Sequence, residues 1–177
     1  MTNTATDIHG NVSVCTFTVT VNDTENPVIS CPTNIVVSAD AGACSASNVT
    51  FLATATDNCG VAGVVSEPAS GSTFAVGTTT VTNTATDIHG NVSVCTFTVT
   101  VNDAENPVIS CPSNIVVSAD ASACSASNVT FLATATDNCG VAGVVSEPAS
   151  GSTFAVGVTT VTNTATDIHG NVSVCTF

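Results

Sequence analysis

Residues 24–97 of this chain can be laid over residues 104–177 with four differences: Thr24 for Ala104, Thr33 for Ser113, Gly42 for Ser122 and Thr78 for Val158. The offset is 80 residues, and the phrase TNTATDIHGNVSVCTF occurs at Thr2–Phe17, Thr82–Phe97 and Thr162–Phe177. A fixed period settles the organisation of a chain before any residue is read for chemistry. This period exceeds the roughly 20–50 residues of most solenoid repeats and is long enough for each unit to close its own small core. The reading is an array of separate beads. Residues 1–22 are the C-terminal F–G hairpin of a preceding repeat, 23–102 a complete repeat, and 103–177 a repeat truncated in its last strand. That phase suggests a window on a longer periodic chain, with Cys15 left without its partner.

Within a repeat the pattern is that of strands. In VSVCTFTVTV, Cys95, Phe97, Val99 and Val101 share one face while the intervening threonines share the other, a period of two that no helix presents. NIVVSAD places Ile35 and Val37 inward, NVTFLATA places Val49, Phe51 and Ala53 inward, and TTVTNTATD places Val81 and Ala85 inward. Turn signals such as ADAGA, TDNCG, EPASGS and DIHGN punctuate these runs about every ten residues. Six or seven short strands per repeat predict an all-β fold: tandem immunoglobulin-like or fibronectin-type β-sandwich domains in an elongated array. The core is thin, with three Phe in the complete repeat (Phe51, Phe74 and Phe97) among Val and Ala. Small domains of this kind need covalent support.

Nine cysteines can supply it, spaced by 13, 15 and 36 residues within the complete repeat. Zinc sites favour close Cys-x-x-Cys pairs, so disulfides in an oxidising, extracellular setting are the better reading. The charge balance is one-sided, with 13 acidic residues and no Lys or Arg. Nucleic acid is excluded as a partner because phosphate binding needs a basic footprint. No stretch reads as a secretion signal or is apolar for long enough to span a membrane. A net charge of −13 must be screened, spread along an elongated particle or neutralised by bound cations.

The order ENPVISCPTNIVVSAD, CSASNVTFLATATDNCG and SGSTFAVGTTTVTNTATDIHGNVSVCTFTVTV resembles the hyalin repeat, or HYR, family over each repeat. The resemblance implies an immunoglobulin-like sandwich in extracellular, adhesion-associated proteins, including near-identical tandem copies in long secreted surface proteins of the Bacteroidota. In a sandwich of that order, Cys31 and Cys95 lie near the same end and face the core. Family members with two cysteines keep these positions, which supports a Cys31–Cys95 bridge and its counterpart Cys111–Cys175. Cys44 and Cys59 are then left to each other, as are Cys124 and Cys139. That fit is awkward, because an extended intervening segment separates the pair well beyond the ~5.5–6 Å preferred by bridged Cα atoms. The rival is a bridge between repeats, such as Cys44 with Cys111.

In the same arrangement three stretches converge on one end of each repeat: the linker, the TDNC loop and the TDIHGN loop. The central repeat thereby gathers Asp23, Glu25, Asp57, Asp87 and Asn91. The last repeat gathers Asp103, Glu105 and Asn106 from the linker, with Asp137, Asn138, Asp167 and Asn171 from the loops. Such oxygen-rich sites at repeat junctions suit Ca²⁺, which takes six to eight oxygens. The competing reading is that Asp, Asn and Gly are simply turn residues. His9, His89 and His169 occupy identical turns and read as surface residues. Glycosylation sequons at Asn11, Asn22, Asn48, Asn91, Asn128 and Asn171 matter only if a glycosylating pathway made the chain.

No constellation of nucleophile, base and electrostatic stabiliser suggests an enzyme. Two functional readings remain. One is an extracellular structural array, the stalk or filament shaft of a large surface adhesin, stiffened by disulfides and Ca²⁺. The other is a multivalent module whose repeats each contact a glycan or protein ligand. The expected partners are neighbouring repeats of the same chain, with self-assembly into fibres through open strand edges as a further route.

Overall fold

The structure, a computed structural model, describes residues 1–177. It is all-β. An N-terminal hairpin, β1 (Thr2–Thr6) and β2 (Val12–Thr16), pairs only with itself and is exposed throughout.

The complete repeat carries eight strands: β3 (Val28–Ser30), β4 (Ile35–Ser38), β5 (Ser45–Val49), β6 (Thr54–Thr56), β7 (Val61–Glu67), β8 (Ser72–Ala75), β9 (Gly77–Asp87) and β10 (Val92–Asn102). One layer is the sheet β4-β10-β9-β7, in which β4 runs parallel to β10 and the other pairs are antiparallel. The pairs β3-β6 and β5-β8 complete the bead. Alternation along the 11-residue β10 buries Phe97, Val99 and Val101. They pack with Ala46, Val49, Phe74 and Val81, and Phe51 meets Phe97 edge-to-face at 4.9 Å.

The NVTFLATA run does not form the single strand that its alternation suggests. Asn48 takes a left-handed φ of 54° within a bulge between Ala46 and Val49, and past Val49 the chain leaves β8 and re-pairs with β3 as β6. Between the two strands the Ser70 hydroxyl accepts from the Phe51 N–H at 2.9 Å and donates to the Phe51 carbonyl at 2.8 Å. Val49, Phe51 and Ala53 still point inward, because the switch preserves the alternation.

The following repeat contains β11 (Val108–Ser110), β12 (Ser125–Val129), β13 (Thr134–Thr136), β14 (Val141–Glu147), β15 (Ser152–Ala155), β16 (Thr162–Asp167) and β17 (Val172–Thr176). It reproduces the pairings of the first, except that β16 and β17 have 6 and 5 residues where β9 and β10 have 11 each, and that the partner corresponding to β4 is missing. Residues 115–118, the counterpart of β4, form no strand, and Val116 is 95% exposed. Beside them lies an apolar groove of about 860 Å³ lined by Ile115, Val117, Phe131, Val161 and Phe177 among others.

Candidate functional site at the repeat junction

Each bead has an upper end built from the linker, the β6–β7 or β13–β14 loop, and the β9–β10 or β16–β17 turn. The DIHGN turn is shaped by its own first residue. Asp87 Oδ1 accepts from the backbone N–H groups of His89 (2.9 Å) and Asn91 (2.8 Å), and its Oδ2 accepts from Asn91 Nδ2 at 2.7 Å. Asp167 is held in the same way by His169 and Asn171. Both carboxylates are buried. Burial alone would raise their pKa, but the side-chain bond from Asn91 or Asn171 and the backbone donors outweigh it and hold them below the ordinary 3.8. In the TDNCG loop, Asp57 Oδ1 accepts from the N–H groups of Cys59 and Gly60, and Asp137 Oδ2 from those of Cys139 and Gly140.

These two turns and the linker bring three carboxylates together in each bead. Oxygens of Asp23, Asp57 and Asp87 lie within 4.8 Å of one another, and so do those of Asp103, Asp137 and Asp167. No cationic side chain offsets them, since the chain has no Lys or Arg. Like charges at this spacing in a partly buried place repel strongly. Three oxygens are also buried without a hydrogen-bond partner: Asp57 Oδ2, Asp137 Oδ1 and Asn138 Oδ1. Buried oxygens of this kind call for a donor or a cation. The hard-oxygen set fits Ca²⁺.

Other residues singled out from the sequence stand elsewhere. Glu25 and Glu105 are outside both triads; their backbone N–H groups donate to Asp23 and Asp103 at 3.1 Å. Asn106 is an exposed linker residue. Asn91 and Asn171 serve as props for Asp87 and Asp167. Two participants escaped sequence reasoning. His89 Nδ1 lies 3.2 Å from Asp23 Oδ2, and His169 Nδ1 lies 3.1 Å from Asp103 Oδ2, so both imidazoles border the triads. The thiol of Cys59 also reaches Asp23, and that hydrogen bond, with burial and the neighbouring negative charges, pushes its pKa above the ordinary value.

Three disulfides are formed. Cys31–Cys95 and Cys111–Cys175 each close a bead, with Cα atoms 6.0 Å apart. The third joins successive repeats, as the rival reading expected, but with a different partner from the one it named. Cys44 bonds neither to Cys59 nor to Cys111 but to Cys139 of the next repeat, with a Cα separation of 4.8 Å. Cys59 and Cys124 are accordingly free, and the local pairs Cys44–Cys59 and Cys124–Cys139 do not form. The reason is placement. Cys44 sits in the turn before β5 at the lower end of its bead, where the next bead presents Cys139, while Cys59 lies past β6 at the opposite, upper end.

Two hydrogen bonds accompany this bridge. The Gly42 N–H donates to Glu105 Oε2 at 2.8 Å, and Asn138 Nδ2 donates to the Ala43 carbonyl at 3.0 Å. The linker and loop that supply Asp103 and Asp137 are thus tied to the bead above.

A model of the HYR domain matches residues 22–101 and 102–177. The chain is 38% identical over 180 residues to hyalin of Strongylocentrotus purpuratus, covering 97% of this chain and 15% of that protein. It is 37% identical over 182 residues to hyalin of Lytechinus variegatus, covering 98% of this chain and 34% of that protein. It is also 36% identical over 174 residues to sushi, von Willebrand factor type A, EGF and pentraxin domain-containing protein 1 of Rattus norvegicus, covering 94% of this chain and 5% of that protein. The chain therefore spans a minor part of the length of each of these relatives.

Proposed function

The chain belongs to the HYR domain family, and from that membership we propose that it is a length of extracellular, non-catalytic repeat array acting as a cation-stiffened spacer in a larger adhesion-type protein. The near-identity of its repeats favours a long uniform shaft, of the sort found in secreted bacterial surface proteins. The observation that carries the reading is the coincidence of the Asp103, Asp137 and Asp167 triad with the Cys44–Cys139 bridge at one junction. A linker clamped on both sides cannot serve as a free hinge.

Ca²⁺ is the cation that this oxygen set suits best. Asp103 and Asp137 would hold it from the linker and loop, and Asp167 from the turn beneath. His169 and Asn171 orient two of these carboxylates. The ion would supply the positive charge that the chain lacks and join three segments that the backbone leaves separate.

Titration with Ca²⁺ against EGTA tests the proposal by thermal melting and small-angle scattering. Ligand at one hundred times Kd adds about 2.7 kcal/mol to the folded state, so the melt should rise by several degrees. Asp103→Asn and Asp137→Asn should blunt that rise. A melt and a particle length indifferent to both reagents would sink the cation part of the proposal.

A further inference from the structure

The Cys44–Cys139 bridge is surrounded by donors that a disulfide does not use. A carboxylate oxygen of Asp103, the Sγ of Cys139 and a ring nitrogen of His169 lie within 4.8 Å of one another. Asp103 comes from the linker, Cys139 from the β13–β14 loop and His169 from the β16–β17 turn. Oxygen, sulfur and imidazole nitrogen together are the donor set of Zn²⁺ and related transition metals, whereas Ca²⁺ takes oxygen alone. Ligands at about 2.0–2.3 Å from a tetrahedral ion stand about 3.5 Å from one another. Small side-chain movements would close this cluster on such an ion.

Each donor is braced from behind, as metal ligands are. The Cys139 N–H donates to Asp137 Oδ2 at 2.8 Å, and the His169 N–H donates to Asp167 Oδ1 at 2.8 Å. Asn138 Nδ2 points at the Cys139 sulfur from 3.7 Å, an N–H placed to favour a thiolate there. The Asp103 side chain is 1% exposed, and its Oδ2 faces the imidazole at 3.1 Å. Beside it Asp137 Oδ1 is buried with no partner at all. The pocket is thus negative, sheltered and without a counter-charge. What keeps a soft metal out is the bridge itself, because the metal ligand is the thiolate, and the Cys139 sulfur is uncharged while bonded to Cys44.

Reduction frees that sulfur and supplies a second one beside it. The bonds from Gly42 N–H to Glu105 and from Asn138 to the Ala43 carbonyl still hold the Cys44 turn against the loop once the sulfurs part. We propose that the junction carries a latent second staple: with Cys44–Cys139 reduced, Cys44, Cys139, His169 and Asp103 bind a Zn²⁺-class ion that joins the two repeats in place of the disulfide. Two thiolates, one imidazole and one carboxylate complete a tetrahedral set. This site is separate from the calcium reading, which concerns the oxidised junction, and shares only Asp103 with it. The array would keep its stiffness in reducing surroundings wherever the metal is present.

The redox step needs a reductant, and a small thiol such as glutathione serves. One thiolate attacks the bridge to form a mixed disulfide, and a second releases the protein sulfur, so two small thiols become one disulfide as the bridge becomes two protein thiols. Metal binding then displaces the protons of Cys44 and Cys139.

The test uses the full chain carrying Cys15→Ser, Cys59→Ser and Cys124→Ser, so that no other free thiol competes, in calcium-free buffer with Co²⁺ as a coloured stand-in for Zn²⁺. Reduced with glutathione until alkylation labels Cys44 and Cys139, it should show the near-ultraviolet sulfur-to-cobalt band and the visible bands of tetrahedral cobalt, saturating at one ion per chain and bleached by Zn²⁺. The oxidised chain should show neither. Two further variants need no reductant and leave the bead bridges untouched. Cys44→Ser frees Cys139 and should give the sulfur band at about half the intensity, one thiolate in place of two. Cys139→Ser frees Cys44, which lies outside the donor cluster, and should give none. His169→Ala in the reduced chain should raise the Co²⁺ needed for half-saturation by about tenfold or more. Scattering should find the angle between repeats of the oxidised chain preserved in the reduced chain with Zn²⁺ and spread after chelation. No sulfur band in Cys44→Ser, an equal band in Cys139→Ser, half-saturation unmoved by His169→Ala, or reduced-chain scattering indifferent to Zn²⁺ would each overturn the proposal.

Discussion

Single residues at the bead's upper end govern both its chemistry and its stability. The hydrogen bond to Asp23 raises the pKa of the Cys59 thiol, with partial desolvation and three nearby carboxylates adding to the effect. A cation on the triad would occupy Asp23 and cancel that field. Alkylation of Cys59, followed by mass spectrometry, should therefore accelerate on adding Ca²⁺, whereas Cys15 and Cys124 should react at unchanged rates. Asn83 works in the interior. Fully buried, it accepts from the Ser66 hydroxyl at 2.6 Å and donates to the Cys31 sulfur at 3.2 Å. Asn83→Ala would leave that hydroxyl unpaired and open a void, costing about 1–3 kcal/mol in a chemical denaturation curve. Little in the sequence marks it, because an Asn inside a Thr-rich strand looks like any other solvent-facing polar residue. The triads were more legible. Asp in TDNCG and DIHGN belongs to recognisable turns, and only the neighbouring imidazoles needed the folded geometry to be seen.

At the scale of elements, the DIHGN turn carries its own pH dependence. Asp87 and Asp167 have folded pKa values below the ordinary 3.8 because Asn91 and Asn171 and the backbone donors outweigh burial. A depressed carboxylate contributes stability that is complete above the unfolded value and is lost as pH falls through the folded one. Melting temperature should accordingly be insensitive to these groups near neutrality and should fall once the pH drops below about 3.8. Asn91→Ala should lower the melt above that pH and make the acid-side decline smaller, because the folded pKa of Asp87 then rises toward its unfolded value. Strand alternation was readable wherever one face is apolar, as in β10. The break between β5 and β6 was not, because it depends on the left-handed turn at Asn48 and on a change of pairing partner, and neither leaves a periodic trace. The bead disulfide is an element-level staple. It closes a span of 64 residues, for which chain entropy gives about 4 kcal/mol, so Cys31→Ala with Cys95→Ala should shift the denaturation midpoint of that repeat by a corresponding amount.

For the molecule as a whole, repetition made the bead architecture legible and concealed the junction. A sequence of identical units shows which cysteines exist, but the partner of Cys44 is fixed by how beads stack, and the pairing runs from one unit to the next. Cys44→Ser should free the junction without unfolding either bead. Scattering would then show a spread of angles between repeats where the oxidised chain shows one, with the melts of the beads preserved. The bead disulfides have a mechanical consequence of their own. Cys31–Cys95 and Cys111–Cys175 each place 64 residues of an 80-residue period behind a covalent bond. A pulling force enters and leaves a bead through the short segment between Cys95 and Cys111 and bypasses the sandwich. An oxidised array would behave as a tape of nearly fixed length, transmitting tension at once, where an array without bridges would yield bead by bead and absorb it.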